Sequence, residues 1–139
     1  MSCGLIAATC TDLAGSSHWY ERGVVTYSNE ATTELLGVPK TLIDTHGAVS
    51  AEVAEAMTTG LLARVPGTVH WTIAVTGIAG PGGGSAEKPV GTVWLALAGR
   101  SGVLRVWCER FDGDRRAVRV QTIESGLNAL RRELAPASG

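Results

Sequence analysis

The stretch that most constrains how this chain can fold is Thr76 to Trp94, TGIAGPGGGSAEKPVGTVW. An apolar run, Trp71 to Val75, leads into Gly77, Gly80, Gly82, Gly83 and Gly84. Glu87, Lys88 and Pro89 follow, and then a second apolar run from Val93 to Ala98. That order reads as strand, glycine loop, strand. Glycine is used where φ must be positive or where backbone must come close to another group. Successive amides in such a loop make a concave nest for an anion, and Lys88 would add a point charge beside it. A plain mobile turn is the competing reading, because glycine clusters mark loops of many kinds. The segment matches neither G-x-G-x-x-G opening a helix nor G-x-x-x-x-G-K-[ST], so composition alone carries the reading no further than an anion loop.

Elements on either side of the loop follow from periodicity and caps. Gly4 to Leu13 suits a short buried helix ended by Gly15, Ser16 and Ser17. Gly23 to Tyr27 is β-branched and aromatic and predicts a strand. Ser28 and Asn29 cap a helix to Leu36, which Gly37 closes and Pro39 stops. Ser50 opens a further helix with Glu52 in its first turn and Val53, Met57 and Leu61 on one face; Gly60 weakens its end. Thr92 to Ala98 is apolar at successive positions, the pattern of an interior strand with helices on both sides. Val103 to Phe111 is more mixed and predicts a strand nearer the sheet edge. Asp112 to Asp114 make a turn and cap for a last helix, whose stripe of Val120, Ile123, Leu127, Leu130 and Leu134 is read as core. Ala135 to Gly139 are expected to fray. Strands interleaved with helices predict an α/β layered domain, and 139 residues predict one domain.

Charge and cysteine content exclude several classes. Twelve Lys and Arg against thirteen Asp and Glu leave a net charge of -1, with no basic footprint for nucleic acid. No apolar run approaches the roughly 18 residues of a membrane span, and the Met1 end lacks the regions of a signal peptide, so a cytoplasmic protein is expected. Cys3, Cys10 and Cys108 form no C-x-x-C pair, which supports neither a disulfide framework nor a zinc site. His18, His46 and His70 lack ligand spacing and read as surface or capping residues. Neither a metal nor a cofactor is expected.

Six motifs then occur in a particular order: GVVTYSNEA (Gly23 to Ala31), ELLGV (Glu34 to Val38), HGAVS (His46 to Ser50), TGIAGPGGG (Thr76 to Gly84), EKPVGTVW (Glu87 to Trp94) and GDR (Gly113 to Arg115). Together they resemble the CinA C-terminal domain family, which includes the nicotinamide-nucleotide amidases, or NMN deamidases. The resemblance covers nearly the whole chain. It implies a three-layer α/β/α sandwich and a homodimer. It also implies a pocket for a pyridine nucleotide whose carboxamide is hydrolysed to the acid with release of ammonia.

The resemblance further implies a serine nucleophile and a buried neutral lysine that takes its proton. Ser2 stands at the serine's position and Thr32 at the lysine's, while Tyr27 of the TYSNEA motif is retained. The substrate-binding residues it implies are Asn29, Gly80, Gly82, Gly83, Gly84, Lys88 and Arg115. The family's Thr-Gly after the serine, and the helix and strand ahead of it, have no counterpart here. With threonine in the base's place, a pyridine-nucleotide-binding relative with weak or no catalysis is the alternative to an intact amidase, and an altered amide hydrolase is a third reading. Cys3 as nucleophile, Lys88 as base and the free amine of Ser2 after loss of Met1 are lesser candidates.

Overall fold

The computed structural model describes residues 1–135; most of the tail expected to fray lies outside the described residues. The elements are α1 (Leu5–Thr11), a 3-10 turn (Ser16–His18), α2 (Asn29–Leu36), α3 (Lys40–His46), α4 (Ala51–Leu62), β1 (Trp71–Gly77), β2 (Thr92–Gly99), β3 (Leu104–Arg110) and α5 (Arg115–Leu134).

Three strands form one antiparallel sheet in the order β1-β2-β3. The register runs from Trp71 opposite Gly99 to Gly77 opposite Val93, and from Thr92 opposite Arg110 to Ala98 opposite Leu104. β2 is the centre, as its continuous apolar sequence requires: Val93, Leu95, Ala96, Leu97 and Ala98 are all buried. Successive strand residues point to opposite faces. Val93 and Leu95 pack with Val118 of α5 on one face, while α4 covers the other. Helices α2 and α3 pack on α4 and α1 packs on α5, which completes an α/β/α sandwich.

Caps behave as the sequence predicts. Ser28, Ser50 and Asp114 each accept from the backbone amide three residues on, opening α2, α4 and α5. Gly37 closes α2 with φ 72. Gly60 lies in the last turn of α4, where a Cβ would strike the Leu36 carbonyl; the missing side chain lets α2 and α4 pack closely.

Three expectations need correction. Gly23 to Tyr27 forms no strand. A strand needs a ladder partner, and none of the residues from Arg22 to Tyr27 makes a backbone hydrogen bond among the described residues. α1 buries none of its residues. The buried stripe of α5 is Val118, Thr122, Gly126 and Ala129, not the leucine row. Val120 and Leu134 are exposed, whereas Leu127 and Leu130 are half-buried because they border a cavity and not packed side chains. Helix α3 was not foreseen; its seven residues begin just after Pro39.

Candidate active site

The glycine loop leaves β1 and returns to β2, held at its neck by backbone bonds from Ile78 to the Thr92 carbonyl and from Gly91 to the Ile78 carbonyl, 2.9 and 2.8 Å. Inside that neck, the Ser85 amide donates to the Lys88 carbonyl and the Ser85 hydroxyl accepts from the Lys88 amide. Gly80 and Gly83 have φ of 86 and 87, conformations that favour glycine. Among the described residues, the amides of Gly80, Gly82, Gly83 and Gly84 donate to no protein acceptor. Such a row of free amides is the donor set an anion requires.

Two long side chains fasten the loop. Arg115, in the first turn of α5, donates from Nη1 to the Gly80 carbonyl at 2.8 Å. Lys88 donates from Nζ to the His46 carbonyl at 2.8 Å, at the end of α3. Thr76 donates to the Ala48 carbonyl at 2.8 Å and ties the HGAVS stretch to the end of β1.

Beside these ties lies an open cavity of about 300 Å³. Tyr27, Asn29, Thr32, Gly80, Gly82, Gly83 and Arg115 all line it, so residues from three separate motifs meet in one place. Lys88 and Gly84 do not line it. The Lys88 ammonium is spent on His46, and a Cβ on Gly84 would come within 2.8 Å of the Val90 amide, so Gly84 lets the loop close on itself. Met1 and Met57 also form its walls; nothing in their spacing marked them as lining residues.

Thr32 is 8 % exposed and its hydroxyl donates to the Ser28 carbonyl at 3.1 Å, a helix-internal bond. Tyr27 is open to solvent. Ser2 is also 8 % exposed, but it borders a different, larger cavity. Its carbonyl accepts from the Leu5 amide at 3.1 Å and from Arg119 Nη2 at 3.3 Å, while its hydroxyl makes no hydrogen bond among the described residues. Cys3 then turns the chain into α1 with φ 50, an uncommon value for a residue with a Cβ, followed by Gly4 at φ 90. Among the described residues, no group of three or more His, Cys, Asp or Glu side chains is placed to hold a metal ion. His46 lies 3.6 Å from Glu52 at the outer side of α3 and α4.

The sequence profile of the CinA C-terminal domain matches residues 1–134. The chain belongs to that family. Among its relatives, the protein of Enterobacter agglomerans named nicotinamide-nucleotide amidohydrolase PncC is 50 % identical over 130 residues, 94 % of this chain and 78 % of that one. A CinA-like protein of Geotalea daltonii is 57 % identical over 131 residues, 94 % of this chain but 31 % of that protein. The CinA-family chain thus spans about a third of the longer relatives' length. The crystal structure of the competence/damage inducible protein CihA from Agrobacterium tumefaciens superposes with a TM-score of 0.91 at 45 % identity, covering 94 % of this chain and 79 % of that one. No helix among the described residues is long and apolar enough to cross a membrane.

Proposed function

We propose that the 300 Å³ cavity binds a pyridine mononucleotide, and that the chain is a nicotinamide-nucleotide amidohydrolase-like protein with slow or absent turnover. The observation that carries this reading is the convergence of free loop amides, the Arg115 guanidinium and the Tyr27–Thr32 stretch on one cavity. Its volume sits at the low end of ligand pockets, near 300 to 1,000 Å³. The phosphate would lie on the amides of Gly80 to Gly83 with Arg115 beside it, and the nicotinamide would point toward Tyr27 and Thr32. Relatives identical to this chain at about half of the matched residues bear the amidohydrolase name.

In the amidase step, the Ser2 hydroxyl would attack the carboxamide carbon and pass its proton through a base to the departing ammonia. Water would then release the acid from the ester. Thr32 lines the cavity but cannot take that proton near neutral pH, and Ser2 lines the neighbouring cavity, so the base is missing and the nucleophile lies apart from the nucleotide cavity. These two placements favour nucleotide binding with weak catalysis over an intact amidase. We also propose that the working unit is a homodimer.

Calorimetry with nicotinamide mononucleotide tests the binding half; absence of heat at millimolar ligand, from folded protein, removes it. An ammonia-release assay on the unmodified chain, Thr32→Lys, Ser2→Ala and the double variant tests the chemistry. Lysine at a site that is 8 % exposed has its pKa lowered by burial. Thr32→Lys is expected to raise the rate by less than the about 10² to 10⁴ that one positioned base usually contributes, because Ser2 lines the neighbouring cavity, and Ser2→Ala is expected to cancel any gain. Fast wild-type turnover unaffected by Ser2→Ala would overturn the assignment of both residues.

A further inference from the structure

The sheet ends on β3, whose one neighbour is β2. Which of its residues turn their backbone outward follows from the ladder. The Val103 carbonyl accepts from the Gly99 amide at 2.8 Å, and the Phe111 amide donates to the Gly91 carbonyl at 2.9 Å. Hydrogen-bonded positions alternate along an antiparallel pair, so in this register Arg105, Trp107 and Glu109 also bond to β2. Leu104, Val106, Cys108 and Arg110 are left with N–H and C=O directed away from the sheet. Among the described residues, no backbone bond outside the ladder reaches these four.

Such an edge is a template for another strand, and its side chains select which one. On the α5 side of the sheet β3 presents Arg105, Trp107 and Glu109. Arg105 Nε donates to Glu133 Oε1 at 2.9 Å, Trp107 Nε1 donates to Ser125 Oγ at 3.0 Å, and Ser125 Oγ donates to Glu109 Oε1 at 3.2 Å. A cation therefore stands two residues before Trp107 and an anion two residues after it. Run in the opposite direction, that order is its own complement. A strand from another protein would have to carry the same charges at the same spacing; a second copy of this chain carries them already.

We infer that β3 pairs edge to edge with β3 of a second copy, antiparallel, about a two-fold axis at Trp107. This gives the homodimer proposed above its interface and rests on that reading. Three constraints meet at this axis. Outward-facing residues must face outward-facing residues, so Leu104 lies opposite Arg110 of the partner subunit and Val106 opposite Cys108 of the partner subunit. Trp107 is the middle of the seven residues, so this axis alone pairs the whole strand. It also sets Arg105 opposite Glu109 twice, at non-hydrogen-bonded positions, where side chains come closest. An axis at Val106 would put Arg105 opposite Trp107, and one at Cys108 would put Glu109 there, so both forfeit the charge pairs. The two sheets of three strands then join into one of six, with both α5 helices on the same face. No residue of β3 lines the nucleotide cavity, so association and ligand binding are measured separately.

Sedimentation equilibrium on the 139-residue chain is expected to show a dimer at micromolar concentration. Arg105→Glu or Glu109→Arg sets like charges opposite each other twice, and each should raise the dissociation constant by about tenfold or more. The Arg105 side chain is 63 % exposed, so its variant keeps the fold. Mixed in equal amounts, the two variants should recover the dimer, because the glutamates of one chain then face the arginines of the other; chains that had merely lost structure would not recover. Hydrogen exchange at Leu104, Val106, Cys108 and Arg110 should be slower by about tenfold or more in the dimer than in either variant alone. For the register, chains carrying Arg105→Cys or Glu109→Cys, with Cys3, Cys10 and Cys108 replaced by serine, should form a disulfide only when mixed, since Cα atoms at that pair lie about 4.5 Å apart. A chain that stays monomeric overturns the interface and the homodimer together. A dimer that both charge reversals leave intact, or variants that fail to recover on mixing, overturns the interface and leaves the dimer to another surface.

Discussion

The loop half and the N-terminal half of this domain share one sheet but are closed in different ways. Around the glycine loop, the sheet end is sealed by the chain's own side chains: Arg115 to Gly80, Lys88 to His46, Thr76 to Ala48, with Leu95, Val93 and Val118 fully buried behind them. On the other side of β1, residues 13–27 carry Leu13, Trp19, Val25 and Tyr27 more than half exposed, and no residue of α1 is fully buried. The contrast teaches that apolar composition does not by itself make a core. Burial needs a partner surface on the far side, and the N-terminal half has the hydrophobic residues without that surface.

Truncating a leucine in each half gives the sharpest test. Leu95→Ala, at a fully buried position between the strands and α5, is expected to cost about 2 to 5 kcal/mol in denaturant unfolding. Leu13→Ala, 62 % exposed, should stay within about 0.5 kcal/mol. Equal losses would show that the N-terminal half is packed against something after all. Thr58→Val is next in size. It removes the hydroxyl that donates to the Thr72 carbonyl at 3.0 Å in a site without solvent, and should cost about 1 to 3 kcal/mol.

The smallest effect is a rate. Burial pushes the Cys10 thiol up from its ordinary value, so less of it is thiolate at a given pH and its alkylation should rise only at more alkaline pH. Cys3 is exposed. Mass-spectrometric mapping with iodoacetamide at neutral pH should therefore find Cys3 modified before Cys10. The reverse order would mean that the cavity bordered by Cys10 opens more readily than the packing around Cys10 implies.

Much of this fold was legible from local chemistry. Ser28, Ser50 and Asp114 marked three helix starts because a side-chain oxygen can serve a free amide there, and the two-faced apolar run of Thr92 to Ala98 marked the central strand. The GVVTY run misled, since β propensity expresses fit to a neighbouring strand and not a property of the segment. The α5 stripe misled for a related reason: three- and four-residue spacing identifies a helix face, but which of two adjacent faces is covered depends on the partner. Of the residues that motif order named, Tyr27, Asn29, Thr32, Gly80, Gly82, Gly83 and Arg115 border one cavity. Lys88, named with them, donates to the His46 carbonyl: a cation near a glycine loop has two available acceptors, a ligand's anion or a nearby carbonyl, and sequence does not rank them.

Thr58 and Thr72 join α4 to β1 through three contacts: the Thr58 hydroxyl to the Thr72 carbonyl, the two hydroxyls to each other at 2.9 Å, and the Thr72 hydroxyl back to the Thr58 carbonyl at 2.9 Å. Apolar contacts alone would tolerate sliding of the helix along the strand, because they carry little direction. The threonine pair does not: a shift of one residue would strand two hydroxyls and two carbonyls away from water. It acts as an indexing pin for an edge strand with a neighbour on one side only. Thr76 and the first loop residues are thereby delivered to the same spot each time the chain folds, whatever the state of the open side.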